Sequence, residues 1–346
     1  MAARSTPLPL SREQILAFRR RVGALDERLP AGAGSLRRAA WAGLQDSMPR
    51  AALLSIHARV EGTQPDALDD PAVVQLWGPR YSLFAVAAHD VAVFTLGRLP
   101  DDERGRRRAE EAAARLQALV GSSGVPSPYG HAGRVLEVMP NSLRYAAPTG
   151  TVLLRWDGAR QPTVWTVPPP PAEPRAARLE LARRHLHIYG PTTPAAFAGW
   201  AGVAPGHARA TWDALTAELV PVRTPIGDAW ALASDEADLT ADAQPPAAAR
   251  LLPSGDAYYL LQGADRELLV PDAVRRAELW TSRVWPGALI VGGEVVGTWR
   301  RAGGRVSAAA WRPLSAPERA AVEVEAASLP LPGLEGRIAV DWATAD

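Results

Sequence analysis

Apolar positions first recur at spacings of three and four, with Ile15, Phe18 and Val22 forming a stripe behind Ser11, Glu13 and Gln14. Ser11 resembles an N-cap, so the chain is predicted to open on an amphipathic helix. Ser35 is placed to cap a second helix carrying Leu36, Ala40 and Leu44. Pro49 suits the first turn of a third, which buries Leu53, Ile56 and Val60. Gln45, Asp46 and Ser47 then fall at a helix–helix junction, where side chains can project into a cleft. A strongly apolar stretch follows from Val73 to Leu99, with Trp77 and Arg80 inside it.

Two later segments share one grammar. The first has a helix from about Asp102 to Leu119, Gly/Ser/Pro loops, and short helices at His131–Val138 and Asn141–Ala146. It closes on strands Thr151–Trp156 and Thr163–Val167, joined across Asp157-Gly158. The run Pro168 to Pro174, with five prolines, reads as a stiff linker. The second segment is cleaner: a helix from Arg175 to Ile188 stops at Gly190-Pro191, and Thr193 caps a helix that starts at Pro194 and carries Phe197 and Trp200. Gly202 makes a turn, a third helix starts near Pro205, and Val220–Arg223 pairs with Trp230–Leu232. Helix, helix, tight turn, helix, hairpin is the order of a winged helix, whose third helix can enter a major groove. Winged helices can also serve purely in protein contacts.

Past the Ala/Pro-rich stretch at Gln244–Ala249 the texture turns β-rich. Tyr258-Tyr259-Leu260-Leu261, Ala288–Val291 and Val295–Arg300 are strand-like, with Gly292-Gly293 as a turn, Trp311 on a further strand and Ser315–Ala327 as a closing helix. The predicted architecture is α+β: residues 1–100 as an N-terminal helical or winged-helix domain, 101–170 and 175–235 as winged-helix domains, and 245–346 as a β-rich domain.

Composition narrows the chemistry. The chain has 346 residues, enough for two to four domains, and no apolar run nears the roughly 18 residues of a membrane span. Met1 to Leu10 has no apolar signal region, which points to the cytoplasm. There is no cysteine and no lysine, so all 38 basic residues are arginine. Thiol nucleophiles, cysteine zinc sites, lysine Schiff bases and phosphate-loop lysines are excluded. The six histidines form no metal signature, and no cofactor is expected. Net charge is only +1, so arginine clusters such as Arg106-Arg107-Arg108, Arg183-Arg184 and Arg300-Arg301 are nearly cancelled by acids. Trp156 and Trp165 could wedge into a base stack or pack across their hairpin.

Four stretches resemble the AlkZ/YcaQ-like family of DNA glycosylases. They are Gly43-Leu44-Gln45-Asp46-Ser47-Met48-Pro49-Arg50 running on to Ala58-Arg59, then Trp77 to Val86, then Tyr189-Gly190-Pro191-Thr192 through Trp200. The fourth is Leu251-Leu252-Pro253 with Asp256, Asp265-Arg266 and Val295 to Arg300. The resemblance implies tandem winged helices, a C-terminal β-barrel, double-stranded DNA as partner, and excision of bulky or alkylated bases or unhooking of crosslinks. Its active-site motif is a glutamine, a spacer, then a second glutamine or aspartate. Here the motif reads Gln45, Asp46, Ser47, and Phe84 stands where the family commonly has histidine.

The resemblance therefore makes Gln45, Asp46 and Ser47 the candidate catalytic residues. Serine is a poor base and too short to replace glutamine, while Asp46 could either activate water or, with Ser47, cap the helix at Pro49. Arg50, Arg59, Arg80, Arg144, Arg183, Arg184, His207 and Arg209 are the candidate DNA contacts. Two functions stay open: monofunctional N-glycosylase chemistry in DNA repair, and DNA recognition or transcription regulation without cleavage.

Overall fold

Ser11 does open the first helix, Arg12–Val22: its hydroxyl accepts from the Gln14 backbone while the Gln14 side chain accepts from Ser11 N–H. The buried face carries Ile15, Leu16 and Phe18, and Arg19 goes in with them. Arg19 tolerates burial because it donates to the carbonyls of Tyr189, Gly190 and Pro191, at the unsatisfied end of helix Pro174–Tyr189. The computed structural model describes residues 6–121, 125–244, 246, 248–333 and 338–343. Parts of the predicted Gly/Ser-rich loop (122–124) and of the Ala/Pro-rich stretch (245 and 247) lie outside the described residues.

The second and third helices run Ala33–Ala39 and Ala51–His57, so Gly32 and not Ser35 precedes the second, and Pro49 stands outside the third. Between them Leu44–Gln45 is a short strand. Gln45 therefore lies at a strand-to-helix turn and not between two helices. The strand is held by tertiary pairing with Leu83–Ala87, which a local helical reading could not register.

Three open sheets organise the chain. The first runs Leu44–Gln45, Leu83–Ala87, Val73–Trp77, Val152–Arg155, Thr163–Thr166, Ser127–Pro128, every neighbouring pair antiparallel. It takes strands from both sides of residue 100. Trp165 pairs across from Leu153 in it, and both Trp156 and Trp165 pack on its core.

The second contains the predicted hairpin, Leu219–Thr224 with Gly227–Leu232, to which Leu8–Pro9 adds a parallel strand. The helices before that hairpin are Pro174–Tyr189, Pro194–Ala201 and Pro205–Leu215, in the predicted order. Thr193 caps the second by accepting from Ala196 N–H, and Gly202 ends it in the left-handed region at φ 72°.

The third sheet orders Arg250–Leu252, Gly287–Val291, Glu294–Ala302, Arg305–Ala310 and Ala339–Trp342. It is open, not the barrel expected from the resemblance: its first and last strands do not pair, and helix Ala316–Ala327 packs against both. Tyr258 and Tyr259 are not strand either. Asp256 accepts from Tyr258 N–H and starts a 3-10 turn, Ala257–Tyr259, whose side chains enter the central core with Trp200 and Trp212. Among the described residues no helix is long and apolar enough to cross a membrane.

Candidate active site

Gln45 sits opposite Phe84 in the sheet register and is half-buried. Its Oε1 accepts from Arg80 Nη2 at 3.0 Å, and Arg80 Nη1 reaches the Trp200 carbonyl at 3.5 Å. The strand Val73–Trp77 turns back into Leu83–Ala87 through Gly78–Ser82, and this turn holds Arg80 at φ 54° and Tyr81 at φ 56°. Arg50, at the end of the Gln45 turn, has φ 66°. Such backbone is unfavourable for side-chain-bearing residues and gathers at functional sites. Gly202, the turn between the second and third of those helices, approaches the Arg80 backbone so closely that a Cβ there would lie 3.1 Å from Arg80 N. The Arg80 turn is thus wedged between the Gln45 strand and the helix-turn-helix.

The other side of Gln45 is a glycine. A Cβ on Gly255 would lie 3.0 Å from Gln45 Nε2, and Gly255 itself has φ 77°. Gly255→Ala combines left-handed strain of about 1–2 kcal/mol with pressure on the Gln45 amide. Loss of the glycosylase activity that the resemblance implies, with little change in DNA affinity, is the expected outcome, read from paired cleavage and binding titrations.

Asp46 faces the opposite way. It is buried, its Oδ1 accepting from Ala52 N–H at 3.0 Å and its Oδ2 from Gln75 Nε2 at 2.7 Å. Gln75 is satisfied in turn by Trp156 N–H, at 2.7 Å, and the Trp156 carbonyl. Asp46 therefore bonds into the first turn of helix Ala51–His57, although the N-cap position itself is Arg50. Burial raises its pKa to about 6, against the lowering pull of the hydrogen bonds from Ala52 and Gln75. Since the folded value exceeds the unfolded one, the associated stability is present below about pH 4 and lost as pH rises through about 6. The stability difference between wild type and Asp46→Asn should therefore shrink across that window, by roughly 3 kcal/mol at most. Urea midpoints at the two ends check this, and an unchanged difference would refute it. Ser47 is exposed and Phe84 fully buried.

The arginines divide sharply. Arg59 is buried, donating to both Asp256 oxygens at 2.7 and 2.8 Å, with the Ser55 hydroxyl on Oδ2 at 2.6 Å. Arg184 is buried between Glu180 and Asp90 with its guanidinium 4.0 Å from the Trp41 ring centre. Arg183 forms a fork with Glu218 at 2.7 and 2.8 Å. Arg59 and Arg184 are committed within the fold, whereas the Arg183–Glu218 pair lies at the surface. His207 faces Asp101 at 3.5 Å, and Arg209 is exposed on the same helix. Among the described residues no hydrogen bond or ion pair links His207 or Arg209 to Gln45. Arg144 bonds to Tyr129 Oη at 3.3 Å and reaches the Tyr81 carbonyl at 3.5 Å, next to Arg80.

Several contributors were not among the candidate site residues. Arg98 is buried beneath Arg80, donating to the carbonyls of Ala201 and Trp77; burial, with Arg80 adding to it, lowers its pKa to about 10. Burial, reinforced by Arg80, lowers that of Arg266. Burial, reinforced by Arg50, lowers that of Arg301. Among the described residues none of Arg50, Arg80, Arg98, Arg266, Arg300 and Arg301 pairs with an acid. Of these arginines Arg80 bonds Gln45 directly, Arg98 and Arg266 feel the Arg80 charge, and Arg301 that of Arg50. Asp256 meets Arg59, and Asp265 lies 4.0 Å from Arg19. Gln75 had one legible signal, a polar residue at an inward position of an otherwise apolar strand.

Residues 129–330, more than half of the chain, match the family described as DNA glycosylase AlkZ-like. Among solved structures, the DNA glycosylase AlkZ of Streptomyces sahachiroi is similar over 97% of this chain and 100% of its own, with a TM-score of 0.77 and 18% identity. Among curated proteins there is no match.

Proposed function

The chain belongs to the AlkZ-like DNA glycosylase family, and from that premise we propose that it is a monofunctional N-glycosylase that releases bulky or alkylated bases, or unhooks crosslinks, from double-stranded DNA in the cytoplasm. The observation that carries this reading is Gln45, an amide held by Arg80, a guanidinium with no acid partner among the described residues. Bonding to Arg80 uses one lone pair of Oε1; the other lone pair and the Nε2 hydrogens can hold a water. As the base leaves with the glycosidic electron pair, positive charge develops on the anomeric carbon, water adds there, and its proton passes to solvent. No carboxylic acid faces the departing base, which suits an alkylated purine: it is already cationic and leaves neutral without protonation. Asp46 orients the loop carrying Gln45, and Ser47 stands at its rim.

In this reading the chain divides near 1–100, 101–170, 175–235 and 245–346, and 175–235 is a winged helix whose third helix, with His207 and Arg209, and the Arg50, Arg80 and Arg144 surface contact the DNA backbone. Recognition without cleavage is the second reading, favoured by the enclosure of Asp46, which leaves the cleft without a carboxylate. One assay separates them. Duplexes carrying an alkylpurine or a crosslink are incubated with protein and scored for abasic sites, with Gln45→Ala as control. Tight binding with no base release by wild type would leave only the second reading.

A further inference from the structure

The paired strands Leu219–Thr224 and Gly227–Leu232, the start of helix Pro194–Ala201 and the segment 262–268 enclose a cavity of about 290 Å³. Its walls are held from outside. Thr192 and Trp230 exchange backbone hydrogen bonds at 2.9 Å, which fixes the strand pair to the helix start. Arg12 donates to the carbonyls of Leu268 and Leu269 at 2.7 and 3.1 Å, which anchors the third wall to helix Arg12–Val22. Pro191, Ala196, Ile226 and Leu268 give the lining its apolar part. Two acids line the cavity, Asp228 and Asp265, and among the described residues no arginine or histidine does.

The polar groups of this lining are unequally satisfied. Thr192 is engaged with His185 at 3.2 Å, Thr224 with the Gly227 carbonyl at 2.7 Å, and Asp228 with Arg223. Among the described residues the Asp265 carboxylate and the Gln262 amide take part in no hydrogen bond. Arg19 is the ion-pair neighbour of Asp265 but stays 4.0 Å away, because its Nε and Nη2 are bonded to the carbonyls of Tyr189, Gly190 and Pro191. Burial raises the Asp265 pKa even against the pull of Arg19. A carboxylate enclosed without a donor is costly, and a ligand that brings a charged donor offsets that cost. The two acids disfavour an anion. A bare metal ion needs several oxygen ligands, and among the described residues no group of three or more acids or histidines is gathered to hold one. A primary ammonium meets Asp265 and the Gln262 carbonyl with N–H donors, and its hydrocarbon body meets Ile226 and Leu268. We propose that this cavity is a binding site for a small organic cation, a primary ammonium on a short hydrocarbon body, held by Asp265. The volume lies just under the roughly 300–1,000 Å³ of drug-sized ligand sites, which keeps the body short. Nothing in this site depends on the glycosylase reading.

The full chain, without DNA, is titrated calorimetrically with n-butylammonium and benzylammonium chloride. Butan-1-ol and sodium butyrate at the same ionic strength serve as the neutral and anionic counterparts. Both amines should bind saturably at one site, and neither counterpart should. Asp265→Asn keeps the side-chain shape and leaves Arg19 its three carbonyl bonds; it should weaken amine binding about tenfold or more, the scale of a hydrogen bond to a charged group. Asp228→Asn should change it by no more than about twofold, since that acid is already paired at the surface. Ala195→Phe fills the cavity from an exposed helix position and should abolish amine binding while its urea midpoint stays near that of wild type. No saturable binding of either amine to wild type, equal binding by Asp265→Asn, or equal binding of butan-1-ol overturns the assignment. Undiminished affinity in Ala195→Phe places the cation outside the cavity and overturns it as well.

Discussion

Asp256→Ala is expected to lower stability by about 3–5 kcal/mol, because it leaves Arg59 as an enclosed, unpaired cation. The two side chains are 3% exposed for Arg59 and 0% for Asp256, so water cannot replace the lost carboxylate. The Ser55 hydroxyl loses its acceptor at the same time, adding an unsatisfied buried donor. The damage also reaches the site. Asp256 ties helix Ala51–His57 and Arg59 to the 253–259 turn, and Gly255 in that turn shapes the space beside Gln45. Denaturant titration checks the magnitude, and a loss below about 1 kcal/mol, the scale of an exposed pair, would contradict it. The double variant Arg59→Met with Asp256→Leu should recover much of the loss, since an apolar replacement of a buried pair is often neutral.

Gln45→Ala is expected to reduce base release by about 10²- to 10⁴-fold, the range for losing a group positioned on the reacting proton or water. DNA affinity should hardly move, since Arg80 and the other candidate DNA contacts stay in place. The effect should therefore fall on single-turnover cleavage at saturating protein, not on the binding titration. Arg80→Ala makes a useful companion. It frees the Gln45 amide and removes one cation, so cleavage and affinity should fall together. Equal cleavage by wild type and Gln45→Ala would remove Gln45 from the chemistry.

The helices on either side of Gly202 were legible because their signals are local. Thr193, Gly202 and the prolines that start three helices act within a few residues, and the chain shows them directly. The roles of Gln45 and Arg80 were legible only through the resemblance, and their contact joins a strand to the turn that leads into its sheet neighbour.

What the sequence by itself determined is the repertoire: arginine as the only side-chain cation besides histidine, no thiol, capped helices at set places, and a motif with serine in its last position. It could not say which arginines are free. Arg59 and Arg80 read alike along the chain, yet one is locked onto Asp256, 197 residues away, and the other faces Gln45. Likewise the C-terminal strands, by pattern alone, could close or stay open. Those outcomes depend on long-range pairing and on desolvation, which only the tertiary structure decides, because the energy of a charge is set by what surrounds it and not by its neighbours in sequence.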